Sequence, residues 1–165
     1  MKNGTLTTLK YYITAVIITF AFSISNAQET PVDAEGNKIM GTWNIVGTIV
    51  SCADGSPLPV QLRGLNSFSQ GGVMMEIPSG LPPASRTPGL GVWQHVGGRN
   101  YVGTFKAFMF DNGTPAGKSI FIANIRHELD DTLTSRGVLT NYNAAGVIVQ
   151  TICISGVGTR FTGED

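Results

Sequence analysis

GVWQHV (91–96), YVGTFKAFMF (101–110), KSIFIANIRHELD (118–130), TLTSRGVLTNY (132–142), VIVQTICIS (147–155) and GTRFT (158–162) follow one another as six runs rich in aromatic and β-branched residues. Gly97-Gly98-Arg99-Asn100, Asp111-Asn112-Gly113, Asp130-Asp131 and Asn143-Ala144-Ala145-Gly146 separate them. Runs at about 8–12-residue spacing, joined by Gly, Asn and Asp turns, predict an antiparallel meander. A meander this long leaves two unpaired edges unless it curls until its first and last strands meet. The stretch therefore predicts an all-β fold, an antiparallel up-and-down β-barrel of about eight strands. The Asn112-Gly113-Thr114 sequon is read first as a hairpin turn.

Upstream lie the strands that complete the ring. Ile39 to Cys52 reads as the first, with Ile45 and Ile49 on one face and Val46, Thr48 and Val50 on the other. Val60 to Ser69 reads as the second, with Gly64 a candidate bulge. Gln70-Gly71-Gly72 turns the chain into Val73 to Ile77. Pro78 to Leu90 holds four of the eight prolines and interrupts the meander, because proline has no N–H for a ladder. The segment must cross an end or an outer surface of the barrel, either plugging a mouth or serving only as a connection.

Within the central strands the alternation assigns faces. Phe121, Ala123, Ile125, His127 and Leu129 share one side of their strand, opposite Ile120, Ile122, Asn124, Arg126 and Glu128. Tyr101, Gly103, Phe105, Ala107 and Met109 share one side of the strand before it. Phe105, Phe121, Ile125 and His127 are thus candidates to line a lumen. Arg126 and Arg136 fall near each other across the 130–131 turn with Glu128 between them. Pointing inward, they would bind a carboxylate or enolate oxygen; pointing outward, they form a solvated cross-strand cluster of little energetic weight.

The first residues have a different character. Lys2 and Lys10 precede an apolar run from Tyr11 to Ile24, and Ser25-Asn26-Ala27 supplies small residues before Gln28, the pattern of a secretory signal peptide. The expected organisation is a signal peptide over 1–27, a flexible leader over 28–38 and the barrel domain over 39–165. The expected location is secreted or periplasmic. An exported chain with two cysteines, Cys52 and Cys153, is a disulfide candidate, because export moves it to an oxidising compartment.

The formal charge over 165 residues is zero, and loss of Lys2 and Lys10 leaves the mature chain weakly acidic. No basic face is available for phosphates, so nucleic acid is not an expected partner. No later apolar run is long enough to span a membrane, so none is expected as a partner once the signal is cleaved. His95 and His127 lie on strands without acidic or thiol residues at ligand spacing, so no metal or other cofactor is expected. No nucleophile elbow, zinc-protease motif, phosphate loop or dinucleotide fingerprint occurs.

Gly41-Thr42-Trp43 on the first strand, with Arg160 near the chain's end, resembles the calycin superfamily of lipocalins, fatty-acid-binding proteins and avidins. That resemblance implies a calycin-like barrel in which Trp43 seals one end and Arg160 packs across it. RTPGLGVW (86–93), with Arg86 and Trp93 at its ends, and the strand and turn that follow are similar to small exported bacterial lipocalin-like proteins of unknown function. These are related in shape to allene oxide cyclase barrels. The resemblance implies a fold and structural roles for Arg86 and Trp93, not an activity.

Two functional expectations result. One is a secreted lipocalin-like barrel binding a small hydrophobic molecule in its lumen. The alternative is a barrel cyclase or isomerase acting on a small apolar substrate, which needs at least one of His127, Arg126, Glu76 or Tyr101 in the lumen. A filled barrel acting through its outer surface is the third possibility.

Overall fold

The six runs, with the upstream strands, become one continuous sheet. The computed structural model describes residues 36–163, so the expected signal peptide and all of the leader before Gly36 lie outside the described residues. Eight strands follow in order: β1 (Gly41–Val50), β2 (Pro57–Ser69), β3 (Val73–Ser79), β4 (Gly89–Gly97), β5 (Asn100–Asp111), β6 (Thr114–His127), β7 (Thr132–Asn143) and β8 (Ile148–Arg160). Each pairs antiparallel with the next, and β1 pairs with β8 to close the ring. The closing seam runs from Trp43 opposite Arg160 to Val50 opposite Cys153. Closure satisfies the backbone groups that an open meander would leave at its edges. Near the end of this seam Cys52 and Cys153 form a disulfide, with Cα atoms 5.3 Å apart.

Several boundaries differ from expectation for local reasons. The runs 147–155 and 158–162 form one strand, because Gly156 and Gly158 act as inward positions where a side chain has no room. A Cβ at Gly156 would lie 2.6 Å from Ser135 Oγ, and one at Gly158 would lie 2.7 Å from Ile45 Cδ1. Pro78 is part of β3, where a break was expected. Pairing of β3 with β4 extends only to Glu76, so at Pro78 that side of the strand is an edge that needs no N–H. Leu129 does not share the inward face of Phe121 to His127: β6 ends at His127, and Leu129 is 88% exposed in the turn. The leader's last residues, Gly36 to Lys38, form a turn, and Arg160 donates to the Lys38 carbonyl.

Turns follow their chemistry. Asn112 (φ 46°) and Gly113 (φ 80°) connect β5 to β6 as a two-residue hairpin with both residues left-handed.

Candidate functional site

Along its axis the interior has a packed end and a hollow end. At the packed end Trp43, Ile39, Phe68, Met74, Trp93, Tyr101, Ala123, Ile125 and Leu133 form the buried core. Trp43 is fully buried and donates its Nε1–H to the Ile39 carbonyl at 2.8 Å. The Arg160 guanidinium lies 4.1 Å from the centre of the Trp43 ring, and His127 meets the same ring edge-on at 5.9 Å. Arg160 also donates to Met40 O and reaches both carboxylate oxygens of Asp131, at 2.8 and 2.9 Å. Asp131 Oδ1 is 2.8 Å from His127 Nε2. Hydrogen bonds from Arg160 first, and then from His127, hold the Asp131 carboxyl far below the ordinary carboxylate range, while Asp131 raises Arg160. These contacts close the barrel. His127 and Ile125, candidates for ligand contact, belong to this closed end, as does Tyr101, and none of the three lines the hollow described next.

The other half is hollow. A cavity of about 320 Å³ opens at the end bounded by the β1–β2 loop and the 80–88 crossing, a size at the lower end of ligand pockets. Its wall is largely aliphatic and aromatic, with Ile45, Ile49, Leu62, Phe105, Phe121 and Ile154 among the lining residues. Phe105 and Phe121 therefore line the space, their rings 5.2 Å apart. Polar groups enter at few places. Ser119 Oγ donates to Asn141 Oδ1 at 2.6 Å, and Asn141 Nδ2 donates to Gln150 Oε1 at 2.9 Å.

The proline-rich crossing supplies the wall's most polar element. After Leu81, which lines the cavity, Ser85 to Thr87 return along β5: Thr87 N–H donates to Phe108 O, and Phe110 N–H donates to Ser85 O. This bridging places Arg86 opposite Met109 and directs its side chain inward. Arg86 Nη1 stands 2.8 Å from Glu76 Oε2, with the two side chains 7% and 15% exposed. The guanidinium also lies 5.6 Å from the Phe105 ring centre. Burial pushes the Glu76 carboxyl above its ordinary value, against the opposing pull of Arg86 and of the Gly89 N–H. Gly89 leaves the space this needs: a Cβ there would stand 2.9 Å from Glu76 Oε2 and 2.6 Å from Phe105 Cδ2.

Arg126 and Arg136 are exposed on the outer wall and do not reach the lumen. The β6–β7 register sets Arg126 opposite Thr134 and Arg136 opposite Asn124, so the two arginines are diagonal. Glu128 accepts from Arg126 Nε at 3.2 Å and from Thr134 Oγ1 at 2.7 Å, a solvated surface cluster. Trp93 is buried in the plug, where its Nε1–H donates to Ser69 O. His95 lies near the 97–100 turn with Nε2 2.6 Å from Gly98 O. Among the described residues no three of His, Cys, Asp and Glu converge as a metal cage.

Sequence reasoning had Glu76 as one of several possible lumen residues and Arg86 only as a structural one; their pairing was not foreseen. The available signal was parity. Glu76 lies two residues from buried Met74 on β3, and an inward charge on a strand demands a partner.

Fold and site together define an eight-stranded closed antiparallel barrel, plugged at one end and hollow at the other, with one buried ion pair in the hollow. No protein-family model matches the chain, and no curated protein matches it.

Proposed function

We propose that the protein is an exported, lipocalin-like barrel that binds one small hydrophobic molecule in the hollow half of its lumen. The observation that carries this reading is the cavity itself: about 320 Å³ with a mainly apolar lining, inside a closed barrel. A few convergent polar groups in an apolar recess are the usual composition of a ligand site. The signal-peptide pattern and the disulfide support export to an oxidising compartment.

The test is extraction of natively purified protein with organic solvent followed by mass spectrometry, together with uptake of the uncharged fluorophore N-phenyl-1-naphthylamine. Leu139→Trp, which fills the lumen, should abolish uptake while the far-ultraviolet circular dichroism stays that of a barrel. No extracted molecule and no uptake by the natural sequence would defeat the reading.

A second reading, a barrel cyclase or isomerase, is favoured by one observation. Glu76 is a lumen carboxyl with a raised proton affinity, the kind of group that can move a proton on a bound apolar substrate. Chemical change of the extracted molecule on incubation with fresh protein, lost in Glu76→Gln, would select it over simple binding.

A further inference from the structure

Resting on the binding reading above, we propose that the Glu76–Arg86 pair makes the lumen selective for an uncharged apolar molecule carrying a hydroxyl or carbonyl oxygen, and that it rejects the corresponding free acid.

The argument begins with the inventory of charge. Among the described residues lining the cavity, only Glu76, Arg86 and Arg63 ionise, and Arg63 is exposed. The buried charge of the hollow, among the described residues, is therefore concentrated in one ion pair. The Arg86 side chain is buried to more than nine-tenths, and among the described residues Glu76 is the carboxylate paired with it. At 2.8 Å the two groups compensate each other electrically. Both line the cavity, and one contact does not exhaust the five N–H donors of a guanidinium or the lone pairs of a carboxylate.

Each head group meets both members at once. A hydroxyl accepts from Arg86 and donates to Glu76, using both. A ketone, ester or amide oxygen accepts from Arg86 and leaves the ion pair intact. A carboxylate also accepts from Arg86, but it must then lie beside the Glu76 carboxylate in surroundings of low dielectric, where like charges repel strongly. An ammonium meets the mirror problem at Arg86. Phe105 lies under the guanidinium and Gly89 leaves the room that the Glu76 carboxylate occupies, so the pair stands together at the cavity wall.

The probes are octan-1-ol, octan-2-one and octanoate, each titrated against bound N-phenyl-1-naphthylamine at about pH 8, where octanoate is fully ionised. Octanoate partitions poorly into any apolar space, so the decisive readout is how its affinity changes between variants. Glu76→Gln leaves Arg86 as an uncompensated cation and should raise octanoate affinity by about tenfold or more, with octan-1-ol changing by less than about threefold. Adding Arg86→Met to that variant should return octanoate to its original weak binding. The double variant buries no unpaired charge and so keeps the test alive if Glu76→Gln alone does not fold. In it octan-1-ol should lose about fivefold or more, because both of its hydrogen-bond partners are weakened or gone. Octanoate affinity unaltered in Glu76→Gln, or octan-1-ol affinity unaltered in the double variant, with fluorophore uptake intact, overturns the selectivity alone. No uptake of the fluorophore by the natural sequence overturns the binding reading, and the selectivity with it.

Discussion

Replacing Trp43 by alanine tests the physical basis of the closed end. The indole is fully buried, so its loss removes on the order of 150–250 Å² of apolar contact and leaves a cavity at the junction of β1 and β8. Large-to-small replacements of this kind cost about 3–5 kcal/mol. Two further losses act in the same direction. The Ile39 carbonyl loses its 2.8 Å donor in a site closed to water, a penalty of about 1–3 kcal/mol if no water enters. Arg160, a third exposed, loses the ring beneath it, a contact worth about 0.5–1 kcal/mol at such a site. These terms overlap, so the expected total is about 5 kcal/mol, comparable to the whole stability of many domains. Trp43→Phe keeps most of the volume and loses the N–H, and should cost about 1–2 kcal/mol. Urea unfolding of the oxidised protein, followed by far-ultraviolet circular dichroism, measures both, and an unchanged m-value keeps the comparison valid. A loss below about 1 kcal/mol for Trp43→Ala, or equal losses for the two variants, would refute the assignment of Trp43 as a hydrogen-bonded closure.

Asp131→Asn keeps a residue type that tolerates the left-handed backbone at φ 58°, and it removes the charge facing Arg160 and His127 together with one of the two acceptor oxygens. Because the carboxylate is half exposed, the expected cost at neutral pH is about 0.5–1 kcal/mol after solvent screening. The folded proton affinity of Asp131 lies below the unfolded one, so its contribution is whole above about pH 4 and is lost as pH falls further. The gap between variant and natural protein should therefore close on acidification, and a gap that widens would contradict the pairing. Gly91→Ala drives a Cβ into the Thr104 carbonyl oxygen and to 2.6 Å from Phe105 Cα. Both are backbone and cannot step aside, so a loss at or above the upper end of about 1–3 kcal/mol is expected in the same unfolding assay. Cys52→Ser with Cys153→Ser releases a link spanning 101 residues and should lower stability by about 4–5 kcal/mol on the chain-entropy account. A loss under about 1 kcal/mol would contradict the chain-entropy account for this link.

The architecture was legible because it is written in period-two alternation, which depends only on local pleating. Tyr101, Phe105, Phe121, Ala123 and Ile125 fall inward as their spacing requires, and the Asn112-Gly113 turn sets the β5–β6 register. The hollow half was less legible, since what separates plug from cavity is not the face a residue occupies but its height along the barrel. Ile125 and Phe121 have the same parity, yet one is packed under Trp93 and Tyr101 while the other borders open space. Height follows from strand stagger, and stagger accumulates over all eight pairings, so no single strand carries it. The same reasoning bears on the arginines. Centring the β6–β7 turn one residue later would have made Arg126 and Arg136 direct partners, whereas the observed register leaves them diagonal on the outer wall. Arg86 was hidden for another reason: a proline-rich segment has no alternation from which to read a direction. Only its hydrogen bonds to Phe108 and Phe110 turn Arg86 toward Glu76. The hollow's one charged pair thus joins the most regular part of the chain to its least regular part. That is why the polar group of the cavity wall depends on a crossing that strand-by-strand reading treats as an interruption.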